Sequence, residues 1–294
     1  MIDLPFFSLI VPTIERAEEV DKLLSSIARS EFRSFEVILV DQNLDARLDP
    51  IVAKYHDCFD LNHLRIQSHG AARARNYGVK HARGSFLNFP DDDCELSETL
   101  LGDAFKLITG KRLLVLSGMC IDREGGASTA RFSADDKYLH HYNLWGRCIE
   151  CTMFIEKESF NRVDGYDELF GVGSVFGSDE GPELLNRLIS TLPQGTLFYS
   201  HQIRFYHPEK VVVYDKNAAS RAYNYARGSG ALLAKRPCLN LILHSCNIML
   251  RNLVAIVIFK GSKRKYYYNR TKGFISGFLD YRANYRDFTY KPTK

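Results

Sequence analysis

The sequence predicts an α/β fold, a mostly parallel central sheet flanked by helices, with a C-terminal helical extension. Three observations predict it. Short apolar runs alternate with amphipathic stretches over the first part of the chain, the signature of strands and helices in turn. One of those runs, in the segment 84–95 (GSFLNFPDDDCE), leads straight into Asp91, Asp92 and Asp93. Beyond Pro237 the pattern becomes wholly helical.

Phe6 to Val11 (FFSLIV) is a continuous apolar run, as expected for a strand covered on both faces. Residues 17–29 place Val20, Leu23, Leu24 and Ile27 on one helical stripe. Glu36 to Val40 reads as a second buried strand that ends in Asp41. Residues 48–57 are predicted helical and Leu64 to Gln67 a third strand. The stretch 71–82, rich in Ala, Arg and Lys, is predicted helical, and strand 85–89 delivers the three aspartates. This alternation implies parallel strands joined by right-handed crossovers. Pro12-Thr13-Ile14-Glu15-Arg16 follows the first strand where a dinucleotide site would carry GxGxxG, which argues against an NAD-binding protein. Strands are predicted at 113–120, 151–155, 197–199 and 203–206, and helices at 180–192 and 215–234.

At 294 residues, 45% hydrophobic and 25% charged, the chain has the composition of a soluble globular protein with a full core. Met1 to Pro5 lacks a basic n-region, so no signal peptide is expected. Seven cysteines, an odd number, fit reduced thiols and a cytosolic setting. Cys148 and Cys151 form a C-x-x-C pair with no second pair at matching spacing, which points to an incidental or structural role rather than zinc. The net charge of +4 conceals an asymmetry: residues 236–294 hold 12 basic and 2 acidic residues, the preceding ones 27 and 33. A basic tail on a mildly acidic body suggests an anionic partner, either nucleic acid or a membrane surface.

Three adjacent carboxylates repel one another unless a cation neutralises them, and hard divalent ions bring phosphate with them. Asp91, Asp92 and Asp93 therefore suggest a metal–phosphate site at the carboxyl end of a buried strand, where open α/β sheets bind nucleotides. The alternative is a solvated acidic turn.

The stretches SLIVPT, FEVILVDQN, GAARARNYGVKHARGSFLNFPDDD, VDGYDE, GSDEGPELLNR and YHPEK, in this order over roughly residues 6–235, resemble the GT-A family 2 glycosyltransferases. The resemblance implies a GT-A transferase domain at 1–235 and a basic, amphipathic extension at 236–294. It implies that Asp41 accepts a hydrogen bond from the imide N–H of uracil or thymine, a role suited to an acceptor-only side chain; an Asp capping its own turn is the alternative. Pro12, Thr13 and Glu15 fall where family members meet the nucleoside. Ile14 stands where many of them stack an aromatic ring on the base. Arg75 is expected near the diphosphate or base, whereas Arg73 reads better as a solvated face. Asp91 and Asp93 match the two acids of the DxD motif. By resemblance Asp91 holds ribose or metal, Asp92 lies in the nucleotide-sugar site, and Asp93 binds Mn²⁺ or Mg²⁺. His207 matches a position where some members place a third metal ligand or a diphosphate contact, though a histidine at a strand end is often structural. The segment from Gly177 to Arg187 resembles the one that carries the family's catalytic base, with an Asp-Glu order shifted by one. On that alignment Glu180 is the base and Asp179 the alternative.

The tail adds a further expectation. Leu239, Ile242, Leu243, Cys246, Leu250, Leu253 and Val257 form one helical stripe, followed by Lys260, Lys263, Arg264, Lys265 and Tyr266 to Tyr268. His244 and Arg251 argue against a clean bilayer span. The combination suits a helix lying on an anionic leaflet, and the alternative is a helix packed on the catalytic domain. Basic and aromatic residues are not interleaved as on a nucleic-acid platform, so no nucleic acid is expected. The resemblance, taken with the tail, thus implies an inverting, metal-dependent transferase using a UDP- or dTDP-sugar on a lipid-linked surface glycan, cytoplasmic and peripheral on the inner membrane face. A catalytically idle nucleotide-sugar-binding or scaffold protein of the same fold is the alternative, and a dehydrogenase a distant third.

Overall fold

Strands that are buried along their whole length need cover on both faces, and two such strands organise the first part of the chain. In β1 (Phe7–Thr13) and β2 (Phe35–Asp41) every residue is buried. The computed structural model describes residues 4–126, 128, 132–208 and 213–286; Glu209 and Lys210 of the YHPEK motif lie outside them. The chain forms two compact units, Met1–Gly165 with Leu184–Lys210, and Tyr166–Glu183 with Val211–Lys294.

The first unit holds the sheet. Its remaining strands are β3 (Asp60–Arg65), β4 (Phe86–Asn88), β5 (Val115–Ile121), β6 (Lys137–Tyr138), β7 (Phe154–Glu156) and β8 (Leu197–Tyr206), in the order β3-β2-β1-β4-β7-β5-β8-β6. β1 pairs in parallel with β2 and β4, β2 with β3, and β5 with β8; β7 runs antiparallel between β4 and β5. Helices α1 (Glu18–Ala28), α2 (Asp49–Tyr55), α3 (Ala71–Val79), α4 (Leu100–Lys111) and α5 (Lys157–Arg162) join the strands. α1 buries Val20, Leu23, Leu24 and Ile27 in the core with Phe7, Leu9, Val37 and Leu39, the stripe its sequence predicts.

Several elements differ from expectation: α5 and the two-residue β6 were not expected, the strand expected at 151–155 is Phe154–Glu156 after a 3-10 turn at Glu150–Thr152, and three further differences have a clear cause. β3 begins four residues early and alternates exposed and half-buried positions, because an edge strand needs no continuous apolar run. α4 was not expected, although Leu100, Leu101, Ala104 and Ile108 make its buried face at helical spacing. The two short strands expected at 197–199 and 203–206 are one strand, whose register against β5 shifts between Ser117 and Met119. Polar Ser200, His201 and Gln202 at this irregularity break the apolar pattern without ending the strand.

The second unit contains the segment 166–183 and three helices, α7 (Lys216–Lys235), α8 (Leu239–Ile258) and α9 (Gly261–Asn284). Helix α6 (Glu180–Thr191) starts within it. The Asp215 carboxylate caps α7 by accepting the Ala218 N–H at 2.6 Å. α7 and α9 approach closely because Gly230 faces the Phe274 carbonyl, Gly273 that of Tyr223 and Gly277 that of Arg227; a Cβ at any of them would overlap backbone. Lys235 sits between two buried carboxylates, 2.5 Å from Asp167 and 2.7 Å from Glu183.

The apolar stripe expected on the tail helix exists, and it faces outward: Leu250 is 62% and Val257 84% exposed. The buried side of α8 is Leu241, Ser245, Asn252 and Ala255. By length and composition α8 could cross a membrane. The basic cluster is less uniform than its sequence suggests. Lys260, Arg264 and Lys265 are exposed, whereas the Lys263 ammonium lies over the Phe259 ring at 3.7 Å. Tyr266 and Tyr267 pack with Tyr214, so only Tyr268 of the three tyrosines is exposed.

Candidate active site

At the carboxyl end of β4, Pro90 ends the ladder and residues 91–94 form a turn closed by the Cys94 N–H donating to the Asp91 carbonyl at 3.0 Å. The turn is clamped from the side: Glu95 and Tyr206 exchange two backbone hydrogen bonds, at 2.8 and 2.9 Å. The His207 N–H donates to the Ile121 carbonyl at 2.9 Å. That bridge brings the end of β8 against the acidic turn, placing His207 Nε2 at 3.1 Å from Asp93 Oδ1.

Each aspartate has its own counter-charge. Asp91 Oδ1 pairs with the buried Arg75 guanidinium at 2.9 Å. Asp92 accepts from Thr13 Oγ1 at 2.7 Å and from Arg16 Nη1 at 2.6 Å. The same Arg16 nitrogen lies 2.7 Å from Asp93 Oδ2. Though 32% of the Asp91 side chain is exposed, burial of the carboxyl in packed protein pushes it up to about 7, with Arg75 opposing. Burial also raises Asp92 against the pull of Arg16 and Thr13. For Asp93 burial acts upward too, but the hydrogen bond and charge of His207 and the Arg16 guanidinium outweigh it and hold the carboxylate below its usual range. His207 is lowered by burial, yet its bond to Asp93 leaves it raised overall.

Asp91, Asp93, Cys94 and His207 offer ligand atoms that all lie within 4.8 Å of one another. Two carboxylates and an imidazole fit Mn²⁺ or Mg²⁺. Cys94 is a different donor. Its thiol is buried, and its hydrogen bond with Cys151, then its burial, push it well above the usual thiol range, so it stays protonated and suits a hard ion poorly. Cys120 and Cys151 lie behind it with sulfurs 3.3 Å apart.

The expected nucleoside side forms around Asp41, which pairs with Thr13 across β1 and β2. Asp41 is fully buried and already engaged. Its Oδ1 accepts from the Asn43 N–H at 2.8 Å and Nδ2 at 2.7 Å, and its Oδ2 lies 2.9 Å from His63 Nε2. Asn43 in turn accepts the Glu15 N–H at 2.6 Å, fixing the loop after β1, where Glu15 takes a φ of 59°. Pro12 and Thr13 are buried, and Ile14 and Glu15 exposed. Arg73 is exposed. Arg16, His63 and Asn43 were not singled out in the sequence. Arg16 and Asn43 stand beside motif residues and so had a positional signal; His63 had none, because the expected strand began one residue after it.

In the second unit, Asp179 and Glu180 open α6. Asp179 has a left-handed φ of 68°, and its carbonyl accepts the Glu183 N–H at 3.0 Å. Its Oδ2 accepts from Ser178 Oγ at 2.6 Å and Ser229 Oγ at 2.8 Å, while burial pushes the carboxyl up. Glu180 is buried with its carboxylate against Gly171, whose φ is 105°; a Cβ there would lie 2.9 Å from Glu180 Cδ. Glycine is thus required at 171 twice over, for conformation and for room.

Among known proteins, TarS of Staphylococcus aureus, named as a poly(ribitol-phosphate) β-N-acetylglucosaminyltransferase, is 35% identical over 106 residues, 35% of this chain and 18% of TarS. A Campylobacter jejuni protein, named as a GalNAc(5)-diNAcBac-PP-undecaprenol β-1,3-glucosyltransferase, is 28% identical over 172 residues, 58% of this chain and 52% of that one. The matches therefore span about half of these relatives or less. Residues 1–349 of TarS in complex with UDP-GlcNAc superimpose with a TM-score of 0.59 at 16% identity, covering 94% of this chain and 91% of that fragment. A mannosyltransferase of Pyrobaculum calidifontis with GDP-Man and Mn²⁺ does so with 0.63 at 14%, covering 95% and 87%. At such identities these likenesses speak to the fold, which is GT-A. The family model of glycosyl transferase family 2 matches residues 8–169, and with more than half of its length so matched the chain belongs to that family.

Proposed function

We propose that the chain transfers a hexosyl or deoxyhexosyl group from a UDP- or dTDP-sugar to a hydroxyl of a lipid-linked surface glycan, by one in-line displacement that inverts the anomeric carbon. The observation that carries this is the gathering of Asp91, Asp93 and His207 donor atoms at the carboxyl end of β4. In this reading residues 1–235 are the transferase domain and 236–294 an extension. Asp41 accepts from the pyrimidine imide, Pro12, Thr13 and Glu15 border the nucleoside, and Arg75 and Asp92 brace the turn. Asp91, Asp93 and His207 hold Mn²⁺ or Mg²⁺, which when bound neutralises the departing diphosphate. Glu180 takes the proton of the attacking hydroxyl. Two serine hydroxyls on Asp179 favour a supporting role for that residue.

The names of the relatives support a surface-glycan acceptor, since one acts on poly(ribitol-phosphate) and another on an undecaprenol-linked glycan. The exposed stripe of α8, followed by Lys260, Arg264 and Lys265, supports peripheral contact with the inner, anionic face of the cell membrane.

Calorimetry of the full chain with UDP-, dTDP- and GDP-sugars, with and without Mn²⁺, tests the donor and metal. One donor class is expected to bind only with Mn²⁺, and Asp93→Ala to lose that binding with its fold intact. Unchanged affinity in Asp93→Ala sinks the metal assignment. Release or transfer of a labelled sugar separates an enzyme from an idle binding protein.

A further inference from the structure

Arg16 lies in the loop between β1 and α1 and sends a single guanidinium nitrogen between two aspartates, 2.6 Å from Asp92 Oδ1 and 2.7 Å from Asp93 Oδ2. His207 faces the other Asp93 oxygen at 3.1 Å. Both oxygens of Asp93, the residue expected to bind the divalent ion, are thus met by basic side chains of the protein. Arg75 does the same for Asp91. Two arginines already stand against these carboxylates, so the nucleotide-free cluster attracts a free divalent cation less than three unpaired aspartates would. A cation at Asp93 would also sit beside the Arg16 charge.

A nucleoside diphosphate changes this balance. It adds several negative charges with the same oxygen geometry that a guanidinium prefers, and Arg pairs with phosphate as readily as with carboxylate. Arg16 is free to make the exchange in a way that Arg75 is not: 37% of its side chain is exposed, against 4% for Arg75. Its loop is held independently of the aspartates, through the Glu15 N–H on Asn43.

Building on the metal–nucleotide reading of this site, we propose that Arg16 is a resident counter-ion of Asp92 and Asp93 that competes with the free divalent ion and passes to the diphosphate when metal and nucleotide bind together. Arg16 then couples the two ligands. It weakens metal binding without nucleotide and strengthens nucleotide binding with metal, and the coupling is reciprocal.

The test is Mn²⁺ binding to the full chain without nucleotide, read as loss of the free-ion electron paramagnetic resonance signal, for wild type, Arg16→Gln, Arg16→Lys and Asp93→Asn. A second arm measures UDP and dTDP affinity at saturating Mn²⁺. Arg16→Gln is expected to bind Mn²⁺ about tenfold more tightly than wild type, within the usual range of coupling factors, and to bind the nucleotide more weakly in the second arm. Arg16→Lys, which keeps the charge, should stay near wild type for Mn²⁺. Thermal unfolding guards against misfolding: Mn²⁺ should raise the Tm of Arg16→Gln by more than that of wild type. Equal or weaker nucleotide-free Mn²⁺ affinity in Arg16→Gln overturns the proposal, and so does undetectable binding to both proteins. If that result comes with a loss of Mn²⁺ affinity in Asp93→Asn, only the role of Arg16 falls. Unchanged affinity in Asp93→Asn removes the metal reading, and the proposal with it.

Discussion

Lys235→Met tests how the second unit tolerates its buried acids. The Lys235 ammonium is 2.5 Å from Asp167 and 2.7 Å from Glu183, whose side chains are 3% and 0% exposed. Methionine nearly matches the lysine in volume, so the substitution removes charge and leaves packing largely in place. Removing one partner of a buried ion pair costs about 3–5 kcal/mol, because the remaining charges lose their compensation. Two carboxylates share this lysine, which argues for the upper part of that range. Arg236 Nε remains 3.6 Å from Glu183 and returns some of it to that residue alone. At about 2–4 °C per kcal/mol for a chain of this size, the midpoint of unfolding should fall by roughly 10 °C. Differential scanning calorimetry of the full chain reads this directly. The triple variant Lys235→Met, Asp167→Asn, Glu183→Gln, which removes all three charges, should recover most of the loss. A single variant within about 1 kcal/mol of wild type would refute the reasoning, since such a small effect is that of an exposed pair. So would a triple variant as unstable as the single one.

Three other outcomes are expected. Glu180→Gln should lower turnover by about 10²- to 10⁴-fold with donor affinity little changed, as for a general base; near-normal turnover there, with loss in Asp179→Asn, would shift the base by one residue. Gly277→Ala drives a Cβ into the Arg227 carbonyl and should destabilise by about 1–3 kcal/mol, whereas Gly110→Ala, with open space around it, should be neutral or stabilising by up to about 1 kcal/mol; equal urea midpoints for the two would contradict the close packing of α7 on α9. Changing Lys260, Lys263, Arg264 and Lys265 to Gln should release the chain from anionic vesicles, at about 1 kcal/mol per surface basic residue, with Lys263 contributing least because its ammonium lies on Phe259; equal co-sedimentation of both proteins at low salt would make the tail a packing element.

The parts of this molecule legible in its sequence are those set by local periodicity. β1, β2 and α1 announce themselves because their buried residues follow one strict pattern each. The acidic turn is equally visible, since charge crowding needs no alignment to notice. β3 escapes because an edge strand may stay polar, and the single strand β8 reads as two because its irregularity carries Ser200, His201 and Gln202. The partners of the site residues are the least legible of all. Arg16 reaches Asp92 across 76 residues and His63 reaches Asp41 across 22, and no spacing rule links such pairs. They follow from the sheet: β1, β2 and β4 set Thr13, Asp41 and the acidic turn at one end, and loops that leave that end bring their side chains into reach.

The tail helix shows how a correct periodicity can still leave orientation open. A stripe of Leu and Val on a helix ordinarily marks the face that packs inward. In α8 the relation is largely inverted: Leu250 and Val257 face outward, while the buried side joins Leu241 and Ala255 with polar Ser245 and Asn252. Asn252 Nδ2 has no hydrogen-bond partner among the described residues, so the inward face is no better satisfied than the outward one. Such an arrangement is unfavourable in water on both faces, and it becomes favourable once something apolar covers the outer stripe. We propose lipid as that cover, on the strength of the charges nearby. Lys260, Arg264 and Lys265 follow the helix directly and are exposed. An apolar stripe continued by cations matches a leaflet of anionic lipid, whose acyl region takes the leucines and whose headgroups take the amines. A second copy of the same helix is the rival cover, and in a parallel pair it would set like charges against each other, whereas lipid takes both the stripe and the cations.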